Sequence, residues 1–287
     1  MRHGIVLLPE QRWSAARDRW RRAEELGFDH AWTYDHLMWR WLRDETWFGC
    51  LPTLTAAAGV TSKMRLGSLV ATPTFRHPVP FAKELMTLDD IAGGRLICGV
   101  GSGAGGYDES VFGAGQEGSR AGRFAEFLEL TDLLLRQPVT SYEGEYYRCE
   151  GARMVPGCVQ RPRLPFAVAA TGPKAMGLAA RYAETWITAG APGRFDARRW
   201  DLVVPELKDQ LRAFEDACAA AGREPAAVGK LLVTGATVGG VLDSAQSFRD
   251  ASGTFADLGF TDLVVHWPRP SEPYQGDERV LDELDLA

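Results

Sequence analysis

The chain has 287 residues, 45% of them hydrophobic, which is enough to bury one large core and falls within the range of a single α/β barrel domain. A net charge of −6 leaves no basic surface for nucleic acid, and no run of like charge is long enough for an interaction tail. No apolar run reaches the roughly 18 residues of a membrane helix, and the start breaks at Pro9 and Glu10, where a signal peptide would stay apolar, so the sequence predicts a cytoplasmic protein with no membrane partner. Cys50, Cys98, Cys149, Cys158 and Cys218 show neither CxxC nor His-flanked spacing; reduced structural thiols are expected, with no disulfide framework and no metal site.

In chain order, the apolar run Gly4 to Leu8, the charged helix Ser14 to Glu25 stopped by Gly27, and the apolar run Ala31 to Tyr34 form a β-α-β unit. A helix from Trp47 to Val60 leads into the strand Arg65 to Ala71. The helix Phe81 to Ala92, closed by Gly93-Gly94, leads into the strand Arg95 to Val100, which ends in Gly101-Ser102-Gly103. Arg120 to Leu135 carries Phe124, Phe127, Leu128 and Leu134 at helical spacing. Ser141 to Pro162 breaks the alternation with turn residues and alternating aromatics, as a β-hairpin insertion does. Alternation then resumes: strand Phe166 to Ala170, helix Pro173 to Tyr182, strand Thr185 to Thr188, helix Arg198 to Ala221, strand Lys230 to Thr234, helix Ala245 to Leu258, strand Asp262 to His266. Such units close as a barrel or stay open as a doubly wound sheet; their even spread favours the barrel, and the first helix lacks a GxGxxG opening.

Loops after the strands carry the polar residues that chemistry needs. His36 directly follows the second strand, where an imidazole titrating near neutrality gives or takes a proton, and it is the first catalytic candidate. Asp35 either orients it or caps a turn. Trp39, Trp41, Trp47 and Phe48 offer rigid apolar faces to a planar ring or an apolar substrate, with Arg40 and Arg43 either solvated or in contact with a substrate anion. Gly101-Ser102-Gly103 and Thr171-Gly172-Pro173-Lys174 follow strands, and the second opens a helix whose free N–H groups favour a phosphate, to which Lys174 adds a charge. Tyr107, His266 and Trp267 are further substrate candidates. No HExxH, GxSxG or P-loop supports a metallohydrolase, α/β-hydrolase or kinase.

The segments TPTFRHP (from Thr72), GGRLICGVGSG (from Gly93), Asp35-His36-Leu37 and Thr171-Gly172-Pro173-Lys174 resemble the bacterial luciferase-like flavin and deazaflavin oxidoreductases, and most resemble their coenzyme F420-dependent branch. The resemblance implies a TIM-type (β/α)8 barrel over residues 1–287, with the hairpin of about 141–162 inserted and the site at the C-terminal strand ends. It implies hydride exchange between coenzyme F420 and a small organic substrate, with FMN and monooxygenation as the alternative, and a non-catalytic cofactor-binding barrel as a second. His36 is then expected by the reactive face of the cofactor. A non-prolyl cis peptide is expected near Leu69-Val70-Ala71, behind the ring, with Arg76 and His77 as local scaffold. Cofactor contacts fall on His36, Leu69, Val70, Ala71, Thr72, Gly101, Ser102, Gly103, Ala170, Thr171, Gly172, Pro173 and Lys174; substrate contacts fall on Trp39, Trp41, Trp47, Tyr107, His266 and Trp267. Ala104 stands where the deazaflavin sugar-phosphate dehydrogenases of this family carry a glutamate, and Arg40 where they carry a pocket tryptophan, which argues against that reaction. Family members commonly form homodimers.

Overall fold

The computed structural model describes residues 1–103, 107–112, 118–190 and 200–286. Its strands are β1 (Arg2–Val6), β2 (His30–Thr33), β3 (Arg65–Ser68), β4 (Leu96–Gly101), β5 (Val139–Glu143), β6 (Arg148–Arg153), β7 (Phe166–Ala169), β8 (Thr185–Thr188), β9 (Gly229–Val233) and β10 (Asp262–His266). The helices are α1 (Trp13–Glu25), α2 (Cys50–Ala58), α3 (Pro78–Ile91), α4 (Tyr107–Ser110), α5 (Arg120–Arg136), α6 (Pro173–Tyr182), α7 (Trp200–Ala220) and α8 (Ala245–Asp257). All strands but β5 and β6 close a parallel barrel in the order β1-β10-β9-β8-β7-β4-β3-β2. Two compact units can be distinguished, one of Met1–Leu8, Asp18–Trp32 and Val168–Ala287, the other of Pro9–Arg17 and Thr33–Ala167.

In the first unit, β1 lies between β10 and β2, with Gly4 opposite both Val264 and His30. A Cβ on Gly4 would lie 2.1 Å from His30 Nδ1, so only glycine admits this ring. Asp262 receives Arg2 through both oxygens, at 2.7 and 2.8 Å, and His30 Nε2 at 3.0 Å. The Trp32 indole N–H donates to His30 Nδ1 at 2.7 Å, so the ring proton sits on Nε2 and is donated to Asp262. Burial works against the Asp262 charge, but the bonds from His30, Arg2 and Thr261 outweigh it and hold the carboxyl below its ordinary range.

In the second unit, Arg95 donates to the carbonyls of Ala58, Thr61 and Met64, supplying donors where α2 ends. Helix α3 starts before the expected Phe81, because His77 Nδ1 accepts the Val79 N–H at 3.2 Å and Pro78 takes the first helical position. Phe124, Phe127, Leu128 and Leu134 of α5 are fully buried, as their spacing predicts, and Phe127 meets Phe81 of α3 at a centroid distance of 5.6 Å. Each such burial contributes about 1.5–3 kcal/mol.

The antiparallel hairpin β5–β6 starts and ends earlier than the expected 141–162. Its turn is anchored by Glu126 of α5, which accepts the N–H groups of Glu145, Tyr146 and Tyr147 at 2.7, 2.9 and 3.2 Å. Arg198, the expected start of α7, lies outside the described residues, as does Ala104. Among the described residues no helix is long and apolar enough to cross a membrane, and the five cysteines are free thiols.

Candidate functional site

In the second unit, β2 delivers His36 to its C-terminal end with 31% of the side chain exposed. Asp35 does not orient it. Asp35 is buried and bound bidentately by Arg76, Nε to Oδ2 at 2.6 Å and Nη2 to Oδ1 at 2.8 Å, and Arg76 lies against the rings of Phe75 and Phe81. This buried pair ties the loop after β3 to the loop after β2, so Arg76 and His77 are scaffold.

The carboxylate that reaches His36 is Asp108 of α4. Its Oδ2 lies 2.5 Å from His36 Nδ1, while Oδ1 accepts the N–H groups of Leu37 at 2.8 Å and Met38 at 3.2 Å. Burial acts to raise the Asp108 pKa, and the bonds from His36, Met38 and Leu37 override it and hold it below the ordinary carboxylate range. Asp108 stands 72 positions from His36, and no local spacing links the two. Its only trace in the sequence is an acid shortly after the glycine loop of β4.

Aromatic rings pack around this histidine. The Trp47 indole N–H donates to the His36 carbonyl at 2.9 Å. Tyr34, which the sequence reading passed over, lies 6.0 Å from His36 and 5.2 Å from Trp39 between centroids; Trp39 meets Trp41 at 4.8 Å and stacks on Trp47 at 6.1 Å. Trp39 is the buried centre of the cluster, whereas Trp41 and Tyr107 are exposed. Arg40 lies over Trp41 and Arg43 over Tyr107, so both guanidinium groups are engaged with ring faces.

Beside β2, the Leu69 N–H donates to the Thr33 carbonyl at 2.8 Å, and the Leu69–Val70 peptide is cis, where the resemblance places it. Ala71 and Gly101 are joined by the Gly101 N–H to Ala71 carbonyl bond at 2.9 Å, which aligns the ends of β3 and β4. Thr72 Oγ1 accepts the Thr74 N–H at 3.1 Å, and the Ser102 hydroxyl lies at the same edge. Gly103 has φ +76°, and a Cβ there would sit 2.7 Å from Thr74 Oγ1, so glycine keeps this ledge open. Leu69 through Thr72 thus follow β3, beside the strand that carries His36, and Gly101 through Gly103 lie one strand further round, against Thr72 and Thr74.

In the first unit, Ala170 is buried, its carbonyl accepting the Trp186 indole N–H at 2.8 Å. Gly172 is the N-cap of α6 and makes no side-chain cap bond; the space around it is open, with Pro173 in the first turn and Thr171 and Lys174 exposed. Open N–H groups at a helix start suit an anion. His266 is buried with its ring stacked on Tyr274 at 3.6 Å, and burial lowers its pKa to about 3, so it is neutral at physiological pH. Trp267 is also buried, donating to Glu278 at 3.1 Å beneath the Arg19 guanidinium. Neither offers the exposed ring face expected of a substrate contact.

A (β/α)8 barrel with an imidazole, hydroxyls and glycine ledges at C-terminal strand ends has the architecture of a barrel enzyme acting on a small molecule. Residues 1–238 match the family model for luciferase-like monooxygenase, and the chain belongs to that family. It is 34% identical over 193 residues to an F420-dependent glucose-6-phosphate dehydrogenase of Nakamurella multipartita, covering 65% of this chain and 55% of the relative, so the match spans little more than half of that protein. It is 31% identical over 276 residues to an F420-dependent hydroxymycolic acid dehydrogenase of Mycobacterium tuberculosis, covering 94% and 70%. The solved coenzyme F420-dependent tetrahydromethanopterin reductase of Methanopyrus kandleri shares the fold, with a TM-score of 0.76 at 21% identity over 98% of this chain and 96% of that one.

Proposed function

We propose that the chain is a luciferase-like oxidoreductase that uses coenzyme F420 to pass a hydride to or from a small organic substrate, with His36 handling the proton. The observation that carries this reading is the hydrogen bond from the Leu69 N–H to the Thr33 carbonyl, which sets the backbone after β3 alongside the strand end from which His36 emerges. That arrangement offers a flat ring a backing and a proton donor or acceptor, and the F420-dependent relatives favour a deazaflavin over FMN. In this reading Leu69, Val70 and Ala71 back the ring, Thr72, Gly101, Ser102 and Gly103 border it, and Ala170 through Lys174 receive the phosphate tail. Bound coenzyme F420 would supply two-electron hydride chemistry.

Trp41, Trp47 and Tyr107 meet the apolar body of the substrate, with Trp39 packed against Trp41 and Trp47. A single catalytic domain over residues 1–287, a homodimer and a cytoplasmic location complete the proposal. Oxygen-free assays with F420 in both directions, against alcohols, aldehydes, ketones, imines and enones, follow the deazaflavin absorbance. Turnover without oxygen is expected; turnover confined to FMN with oxygen would overturn the proposal in favour of a monooxygenase.

A further inference from the structure

Asp108 receives three hydrogen bonds on its two oxygens: His36 Nδ1 on Oδ2, and the Leu37 and Met38 N–H groups on Oδ1. Two of these donors are backbone amides, which only donate, so Oδ1 acts as an acceptor. The His36 bond is short at 2.5 Å, and the Asp108 side chain is only 13% exposed. An ionised carboxylate only accepts, so the proton in that short bond belongs to Nδ1. Nε2 is then the ring atom without a proton in the neutral imidazole.

We propose that Asp108 is the positioning residue of this site: it holds the His36 proton on Nδ1 and so makes Nε2 the atom that exchanges a proton with the substrate. The proposal rests on the catalytic role given to His36 above. When Nε2 takes the proton of a substrate O–H or N–H group, that bond breaks, an Nε2–H bond forms, and the imidazolium charge is balanced by the adjacent carboxylate. In the reverse direction the same proton leaves Nε2 for the substrate. Because Oδ1 also grips Leu37 and Met38, the carboxylate fixes the backbone that follows His36 together with its ring. Asp35 cannot share this work, since both its oxygens are bound by Arg76.

A purely structural role for Asp108 predicts something different. Asp108→Asn keeps an oxygen for Leu37 and Met38 but presents an amide N–H to Nδ1, which drives the ring proton to Nε2. Nitrogen-15 NMR of the histidine rings in cofactor-free protein is expected to show His36 protonated on Nδ1 in the wild type and on Nε2 in Asp108→Asn. With F420 and an accepted substrate, kcat is expected to fall by about 10²–10⁴-fold while KM and F420 affinity change little. Asp108→Glu, which keeps a carboxylate, is expected to recover part of the rate. A wild-type ring protonated on Nε2, or an unchanged kcat in a folded Asp108→Asn protein, would overturn the proposal. The NMR readout needs neither cofactor nor substrate, so it fails separately from the F420 reading. If Asp108→Asn does not fold, the wild-type tautomer alone decides.

Discussion

Replacing His36 with alanine is expected to lower turnover by about 10²–10⁴-fold, the usual worth of a positioned general acid or base, while F420 affinity and folding change little. The fold tolerates the loss because the ring is partly exposed and the bonds around it do not depend on it. Trp47 binds the His36 carbonyl, and Asp108 still accepts the Leu37 and Met38 amides. Side-by-side kcat values, F420 titrations and thermal melts separate the cases. A rate within a few-fold of wild type would remove His36 from the chemistry, and a large drop in melting temperature would assign it to the scaffold instead.

Asp262→Ala is expected to cost about 3 kcal/mol of stability, since it strips a buried carboxylate from His30 and Arg2 and leaves the buried His30 Nε2–H without its acceptor. Folding lowers the Asp262 pKa. The contribution of this group is therefore fully present above the unfolded carboxyl value of about 3.9 and is lost as pH falls through the lower folded value. Urea unfolding at neutral pH and at about pH 3 should show a large gap between wild type and variant at the first pH and a smaller gap at the second. Equal midpoints at neutral pH would mean that the network at these strand starts holds nothing together.

Periodicity located the barrel because each barrel strand is a short apolar run between turn residues, and α6 has the bounds expected of it, with Pro173 in its first turn. Boundaries failed where apolar residues serve loops. Trp47 and Phe48 extend the apolar pattern of α2 backwards, yet Trp47 binds the His36 carbonyl and the Phe48 N–H binds the Pro9 carbonyl, so the helix starts at Cys50. Asp35 is a different case. Its place beside His36 leaves it either orienting the imidazole or holding the loop; the barrel brings Arg76 onto Asp35, which decides for the second, and brings Asp108 onto His36 from a later loop, a pairing whose separation leaves no local spacing to read. His266 and Trp267 were placed correctly at a strand end, but the C-terminal segment that covers them, with Tyr274 and Glu278, has no periodic signature.

The proposed F420 dependence is tested most directly by a parallel fluorescence titration of purified, cofactor-stripped protein with coenzyme F420 and with FMN, checked by thermal shift. Tight, saturable binding of F420 with weak binding of FMN is the predicted result. Preferential binding of FMN, or binding of neither, would contradict it.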